Sequence, residues 1–394
     1  MHCCVCAPGG YRSKERAHRA PAGPAPAAEA RFVRRQREHH AEDTTIADTR
    51  SPARAALRVL VSLILTTTPT TSAVAQSAAT EVSDSLSPPG SLIDIGGYRL
   101  HLHCTGTTSP GHPTVVLSAG DGDFAVDWGL VQPAVAESTR VCSYDRAGAG
   151  WSVPGPEPRT LRQEAAELRQ LLANAGEKPP YVVVGHSVGA LVVRIFQEAW
   201  PDSVVGIVLV DPTHEDGRLG YRGKLVRLRT LATGRPIPPV HTLNQSPPIR
   251  ATGQALSACR QSASAATIQA PFDKLPALDQ QYHLWILRHP ACLAEQEDYL
   301  PDELAALYAR RQTTPQPLGA VPLVVVAAVP GGSPPGVSLD DWRREKADHM
   351  SDLAHLSSRG RVVTDTLSGH HVQLDDPQVV IRAIREVVAV ALRH

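Results

Sequence analysis

The chain has 394 residues, 42% of them hydrophobic and 20% charged, which suffices for one large domain with additional segments and is too polar for a protein built of many membrane spans. Lys+Arg and Asp+Glu both number 39, so the formal net charge is zero. No basic field marks the chain for nucleic acid or anionic lipid, and neither is expected as a partner.

The first 55 residues are rich in Ala, Pro, Arg and His and carry no apolar periodicity. Such a stretch cannot bury enough apolar surface to offset its ordering entropy and reads as a disordered extension. Arg50, Arg54 and Arg58 precede an apolar run at residues 59–65, and Ala73-Val74-Ala75 follows it. That order reads as a secretory signal peptide over residues 56–75, cleaved after Ala75, with 76–90 a linker. The alternative is a membrane anchor through 56–75. The apolar run is about half the length a bilayer span requires, so export is favoured and no stable span is expected. Signal peptides begin within about 30 residues of the initiating residue, yet the methionines are Met1 and Met350. A non-Met start near residues 45–55 reconciles the two and leaves residues 1–50 outside the natural product.

Cys3, Cys4 and Cys6 fall in that extension with no partner pair at zinc-site spacing, so no metal is expected. Cys104, Cys142, Cys259 and Cys292 remain, an even number that in an exported protein implies two disulfides.

From residue 91 strands and helices alternate. Strands are predicted at 91–95, 98–104, 113–118, 140–144, 181–185, 204–210, 322–329 and 361–366. Several are apolar throughout, such as Val182-Val183-Val184 and Ile207-Val208-Leu209-Val210, which means burial on both faces, as in a parallel sheet covered by helices. Thr160-x-x-Gln163 is a capping box, and Leu161, Ala165, Leu168 and Leu172 then fall on one helical face. Val380, Ile384, Val387 and Ala391 do the same for a closing helix. The pattern predicts an α/β fold with a doubly wound sheet, its core formed by 91–211 and 321–394. Residues 212–320 show no strands and read as a helical cap inserted after the sixth strand.

Gly185-His186-Ser187-Val188-Gly189 matches G-x-S-x-G between an apolar strand and a helical stretch. A serine on a sharp strand-to-helix turn needs a strained backbone with glycines around it, and the following helix amino terminus stabilises negative charge. Serine also needs a base. Ser368-Gly369-His370-His371 lies past the last strand, where the histidine belongs in the order Ser…Asp…His. Ser187 is the expected nucleophile and His370 its general base.

Residues 91–394 resemble the α/β-hydrolase superfamily, and in particular its exported bacterial esterase- or lipase-like members. The segments that carry the match are Leu117 to Gly122, Asp145-Arg146-Ala147-Gly148-Ala149-Gly150-Trp151-Ser152, Gly185 to Gly189, and Ser368 to Pro377. The resemblance implies a mostly parallel eight-stranded sheet with helices on both faces. It places the histidine seven residues before a proline that opens the last helix, which fits His370 and Pro377 and not His371. It treats the Asp145–Ser152 turn as a covering of the sheet edge with no chemical role. The family usually carries its acid after the seventh strand, where this chain has Val329-Pro330-Gly331-Gly332 and no carboxylate before Asp340. The other family location is the end of the sixth strand, so Asp211 is the expected acid, with Asp340, Asp341 and Asp216 in reserve. The expected oxyanion donors are the backbone N–H groups of Val188 and Asp121. Ala119 stands where many relatives have histidine, and the Asp121 carboxylate must point outward. The implied strand order 1-2-4-3 pairs Cys104 with Cys142 and leaves Cys259 to pair with Cys292.

These residues imply a serine hydrolase that cleaves small-molecule carboxylic esters through an acyl-enzyme, with no metal or organic cofactor. Lipase, thioesterase, amidase and cofactor-free perhydrolase activity fit the same residues. Serine at 187, where related epoxide hydrolases and haloalkane dehalogenases carry aspartate, argues against those two reactions. From another class, the fold also hosts binding proteins that have lost turnover. His214 and His241 read as surface or loop residues rather than ligands.

Overall fold

The computed structural model describes residues 86–221, 224–240, 248–294 and 298–393. The expected amino-terminal extension, the 56–75 signal peptide, the linker up to residue 85 and His241 lie outside them. Along the chain run β1 (Ser91–Asp94), β2 (Arg99–Thr105), β3 (Thr114–Ser118), α1 (Gln132–Ala136), β4 (Val141–Tyr144), α2 (Leu161–Asn174), β5 (Tyr181–His186), α3 (Gly189–Ala199) and β6 (Val204–Val210). Then come β7 (Arg218–Tyr221), β8 (Lys224–Arg227), α4 (Gly253–Ser264), α5 (Ala277–Arg288) and α6 (Leu300–Thr313). The chain closes with β9 (Leu323–Ala328), α7 (Leu339–Ala354), β10 (Gly360–Asp365), α8 (Val372–Asp375) and α9 (Pro377–Ala391).

Eight strands form one sheet in the order β1-β2-β4-β3-β5-β6-β9-β10. The β1–β2 and β2–β4 pairs are antiparallel and the rest parallel. Successive side chains of a strand point to opposite faces, and here both faces are apolar. Val182 and Val184 of β5, Val208 and Val210 of β6, and Val324 and Val326 of β9 pack with residues of α1 and α9. Their neighbours Val183, Ile207, Leu209 and Val325 pack with α2, α3 and α7. Helices on both sides therefore explain the unbroken apolar runs.

The Thr160 hydroxyl accepts from the Gln163 N–H at 3.1 Å and starts α2. Leu161, Ala165, Leu168 and Leu172 are all buried, as the period requires. In α9, Val380, Ile384 and Val387 are likewise buried behind Pro377 in the first turn.

Between β6 and β9 the expectation of a strand-free segment is corrected. β7 and β8 form an antiparallel hairpin in register from Arg218↔Arg227 to Tyr221↔Lys224. Four-residue strands are too short to display a two-residue period. This pair is tied to the core by charge instead: Glu345 of α7 takes Arg218 Nε at 3.0 Å and an Arg227 guanidinium nitrogen at 3.2 Å. The rest of the insertion is helical, from α4 to α6.

Cys104 and Cys142 stand directly opposite in the β2–β4 pair and are bridged, with Cα atoms 4.0 Å apart. Cys259 on α4 bridges to Cys292 within the insertion. The first bridge closes a 38-residue separation, so chain-entropy reasoning assigns it about 4 kcal/mol. A Cys104→Ala/Cys142→Ala variant should lose about 2–5 kcal/mol in urea denaturation. A loss below about 1 kcal/mol would mean that sheet pairing alone holds these strands together.

Candidate active site

β5 ends at His186 and α3 begins at Gly189, leaving two residues to reverse the chain. Ser187 takes φ +52° to do so, a left-handed conformation that side chains rarely adopt. The flanking glycines are steric requirements. A Cβ on Gly185 would lie 2.6 Å from the Ala190 backbone, and one on Gly189 would lie 2.5 Å from the carbonyl oxygens of Ser118 and Ala119. The bend is anchored by Ser187 N–H to the Val210 carbonyl at 3.1 Å and by Thr213 N–H to the Ser187 carbonyl at 3.1 Å.

Three of the expected residues meet here. His370 Nε2 is 3.0 Å from Ser187 Oγ, and His370 Nδ1 is 2.7 Å from Asp211 Oδ2. Asp211 directly follows β6, at φ +38°, and is only 2% exposed. Its backbone N–H donates to the Val326 carbonyl at 2.7 Å, and its Oδ1 accepts from Ala328 N–H at 3.0 Å. The Asp211 carboxylate thus sits against the end of β9 although it comes from the neighbouring strand. Burial would raise its pKa, but the His370 hydrogen bond and the Lys346 ammonium outweigh burial and bring the carboxyl down to about 2. The reserve acids are elsewhere. Asp340 and Asp341 lie in the exposed first turn of α7, while Asp216 pairs with Arg227 and Arg229.

Val188 follows the serine and leads directly into α3. Asp121 lies on the loop after β3, with its side chain at the exposed surface, as an oxyanion donor with a carboxylate side chain requires. Arg146 donates to the carbonyls of Ala119 and Gly120 at 2.5 and 2.8 Å. In a trans peptide the Gly120 carbonyl and the Asp121 N–H point in opposite directions, so this grip turns the Asp121 N–H away from Arg146. Through Arg146 the Asp145–Ser152 turn also holds the loop after β3.

Several polar residues around the site were not singled out by sequence reasoning. His186 Nδ1 lies 2.8 Å from Asp123 Oδ2, and its Nε2 lies 2.9 Å from the His370 carbonyl. His371 Nε2 is 3.2 Å from the other Asp123 oxygen. Burial pushes the Asp123 carboxyl up, yet the hydrogen bonds from His186 and His371 hold it far below the usual carboxylate range. Lys346 contacts Asp211 at 2.8 Å. The signal available for His186 was its place inside G-x-S-x-G; Lys346, on the face of a surface helix, offered none. His214 is not a surface residue: it is 5% exposed, 2.9 Å from Asp352, and stacked on His349 at 4.1 Å. Among the described residues, the candidate metal-ligand group is Cys104, Cys142 and Glu177, whose thiols are already joined in a disulfide.

Residues 100–383 match the model of the family described as Alpha/beta hydrolase family. The chain is 35% identical over 103 residues to protein YqjL of Bacillus subtilis, covering 26% of this chain and 41% of that one. It is also 35% identical over 112 residues to an AB hydrolase superfamily protein of Gibberella zeae, covering 27% of this chain and 35% of that one. It thus spans less than half the length of these curated relatives. The crystal structure of the enol-lactonase from Burkholderia xenovorans LB400 superposes with a TM-score of 0.50 at 16% identity, covering 75% of this chain and 99% of that one. That likeness is one of fold.

The close approach at the bend gives a direct test. Gly189→Ala forces a Cβ into two backbone carbonyls, so the variant should lose roughly 2 kcal/mol or more by thermal or urea unfolding. Wild-type stability in that variant would show that the loop after β3 does not press on α3.

Proposed function

The chain belongs to the alpha/beta hydrolase family, and we propose that within it the chain is a serine hydrolase that cleaves carboxylic esters through an acyl-enzyme. The observation that carries the reading is the unbroken relay Ser187–His370–Asp211, at 3.0 and 2.7 Å, on a bend that forces the serine into positive φ.

His370 takes the Ser187 proton as Oγ attacks the ester carbonyl. The tetrahedral oxyanion is met by the Val188 and Asp121 N–H groups. The imidazolium then protonates the departing alcohol, leaving Ser187 acylated. A water, deprotonated by the same imidazole, attacks the acyl carbonyl, and the returning proton frees Ser187 and releases the acid. Asp211 keeps Nδ1 of His370 protonated, so that Nε2 faces the serine with a lone pair. The insertion between β6 and β9 forms the cap over this site and shapes the ester pocket. The two disulfides support an oxidising, extracytoplasmic setting.

A fluorophosphonate probe should label the wild-type protein and leave Ser187→Ala unlabelled. With a p-nitrophenyl ester series, Ser187→Ala and His370→Ala should each lower kcat/KM by about 10⁴-fold or more, and Asp211→Asn by roughly 10³–10⁴-fold. Turnover undiminished in Ser187→Ala would refute the proposal.

A further inference from the structure

Lys346 projects from α7 to the carboxylate of Asp211, its Nζ 2.8 Å from each oxygen. On the serine-hydrolase reading, we propose that Lys346 is a positioning residue: it neutralises Asp211 in the resting enzyme and thereby keeps His370 in its free-base form further into acid.

The geometry defines what each group feels. Asp211 is met by His370, by Lys346 and by the Ala328 N–H. His370 faces Asp211 and Ser187 through its ring nitrogens, with the His186 and His371 rings 4.7 and 5.5 Å away. Asp123 stands behind both of those rings. Two contacts in series, of 2.8 and 2.7 Å, keep the Lys346 ammonium within about 6 Å of the His370 imidazole, a range at which like charges oppose each other. Protonating His370 therefore places a second cation against a carboxylate that already has one. A lone Asp211 would welcome that proton; the Asp211–Lys346 pair resists it. The same contacts fix the acid sideways: Ala328 and Lys346 hold one oxygen, Lys346 and His370 the other.

Lys346 is also placed so that its charge can be removed without opening the core. Its side chain is 23% exposed, and it borders a cavity of about 260 Å³ with Arg343, Pro330 and Thr364 among its lining. Arg343, one turn earlier, is engaged with the Pro330 carbonyl at 2.9 Å, so it does not stand in for Lys346 at Asp211. A lysine that merely fastened α7 to the sheet would, when lost, lower stability or scale activity equally at every pH. The charge-balancing role moves the pH profile itself.

The test measures kcat/KM for p-nitrophenyl acetate between about pH 4 and 9 on the full chain and on K346M, K346Q and K346R. K346M and K346Q should shift the acidic limb upward by about one pH unit, a roughly tenfold loss below the limb relative to wild type. K346R should keep the wild-type limb. A limb that stays in place or moves down in K346M and K346Q, with folding verified by circular dichroism, overturns the assignment. Proton NMR of the His370 imidazole in an S187A background reads the same displacement without turnover, and no displacement there overturns it too. S187A also separates the two levels of argument. If it turns over like wild type, the serine-hydrolase reading fails; if it is inactive and the limb does not move, only the role of Lys346 fails.

Discussion

A carboxylate shut away from water keeps its charge only when donors meet both oxygens, and Asp211 imposes that demand on four parts of the fold. Its own strand, β6, delivers it at positive φ. The end of β9 supplies a backbone donor, α7 supplies Lys346, and the loop after β10 supplies His370. Moving any of the four takes away a contact on which the buried carboxylate relies. The sheet, helix α7 and the histidine loop are thereby held in one mutual register. That is also how an aspartate from the neighbouring strand comes to lie against the end of β9, beside His370. What matters is the place the carboxylate occupies, not the strand that carries it.

The second constraint is steric. The serine reaches its place on the bend because β5, α3 and the loop after β3 pass closer than a methyl group allows at Gly185 and Gly189. The sheet makes this close approach sustainable. β5 is hydrogen-bonded on both sides, to β3 and to β6, and its valines are fully buried on both faces. Strain of about 1–3 kcal/mol at Ser187 is small against so many buried apolar side chains. Arg146 extends the arrangement by gripping the carbonyls of the loop that faces the serine.

What could be read from the chain followed from how local each determinant is. The valine-rich strands and the Leu161–Leu172 face declare their burial by composition and period, and the glycines around Ser187 declare the bend. Asp211 was pointed to by the resemblance, which places an acid at the end of the sixth strand, and it lies 2.7 Å from His370 Nδ1. The β7–β8 hairpin was not, because its strands are short and its docking depends on Glu345, more than a hundred positions away. Asp123, His186 and Lys346 were missed for the same reason. An aspartate two positions from Asp121, a histidine beside the serine and a lysine on an amphipathic helix each have an ordinary solvent-facing explanation. Only tertiary proximity separates the buried Asp123 from the exposed Asp121 two positions earlier. His214 lies in a loop, one of the two places expected for it, but the fold buries it in a charged cluster with Asp352, Arg311 and Glu215.

The insertion between β6 and β9 is fastened to the core at several separate points. Glu303 of α6 accepts from the Leu161 and Arg162 N–H groups that open α2, at 2.9 and 3.3 Å, an acidic group placed where a helix amino terminus favours it. His283 of α5 meets the buried Asp127 at 2.6 Å. Phe272 stacks on His283 at 4.2 Å and leans on His371 at 4.9 Å, and Lys274 pairs with Asp375 at 2.6 Å. Asp375 in turn accepts from the Gly369 N–H at 2.8 Å, next to His370. Swinging the insertion away would break the hydrogen bonds of Glu303 to Leu161 and Arg162 and of His283 to Asp127. Apolar contact alone would let the segment slide; these directional contacts do not. The insertion is thus held in a fixed place against the core, and through Phe272 and Lys274 it touches the same loop that carries His370.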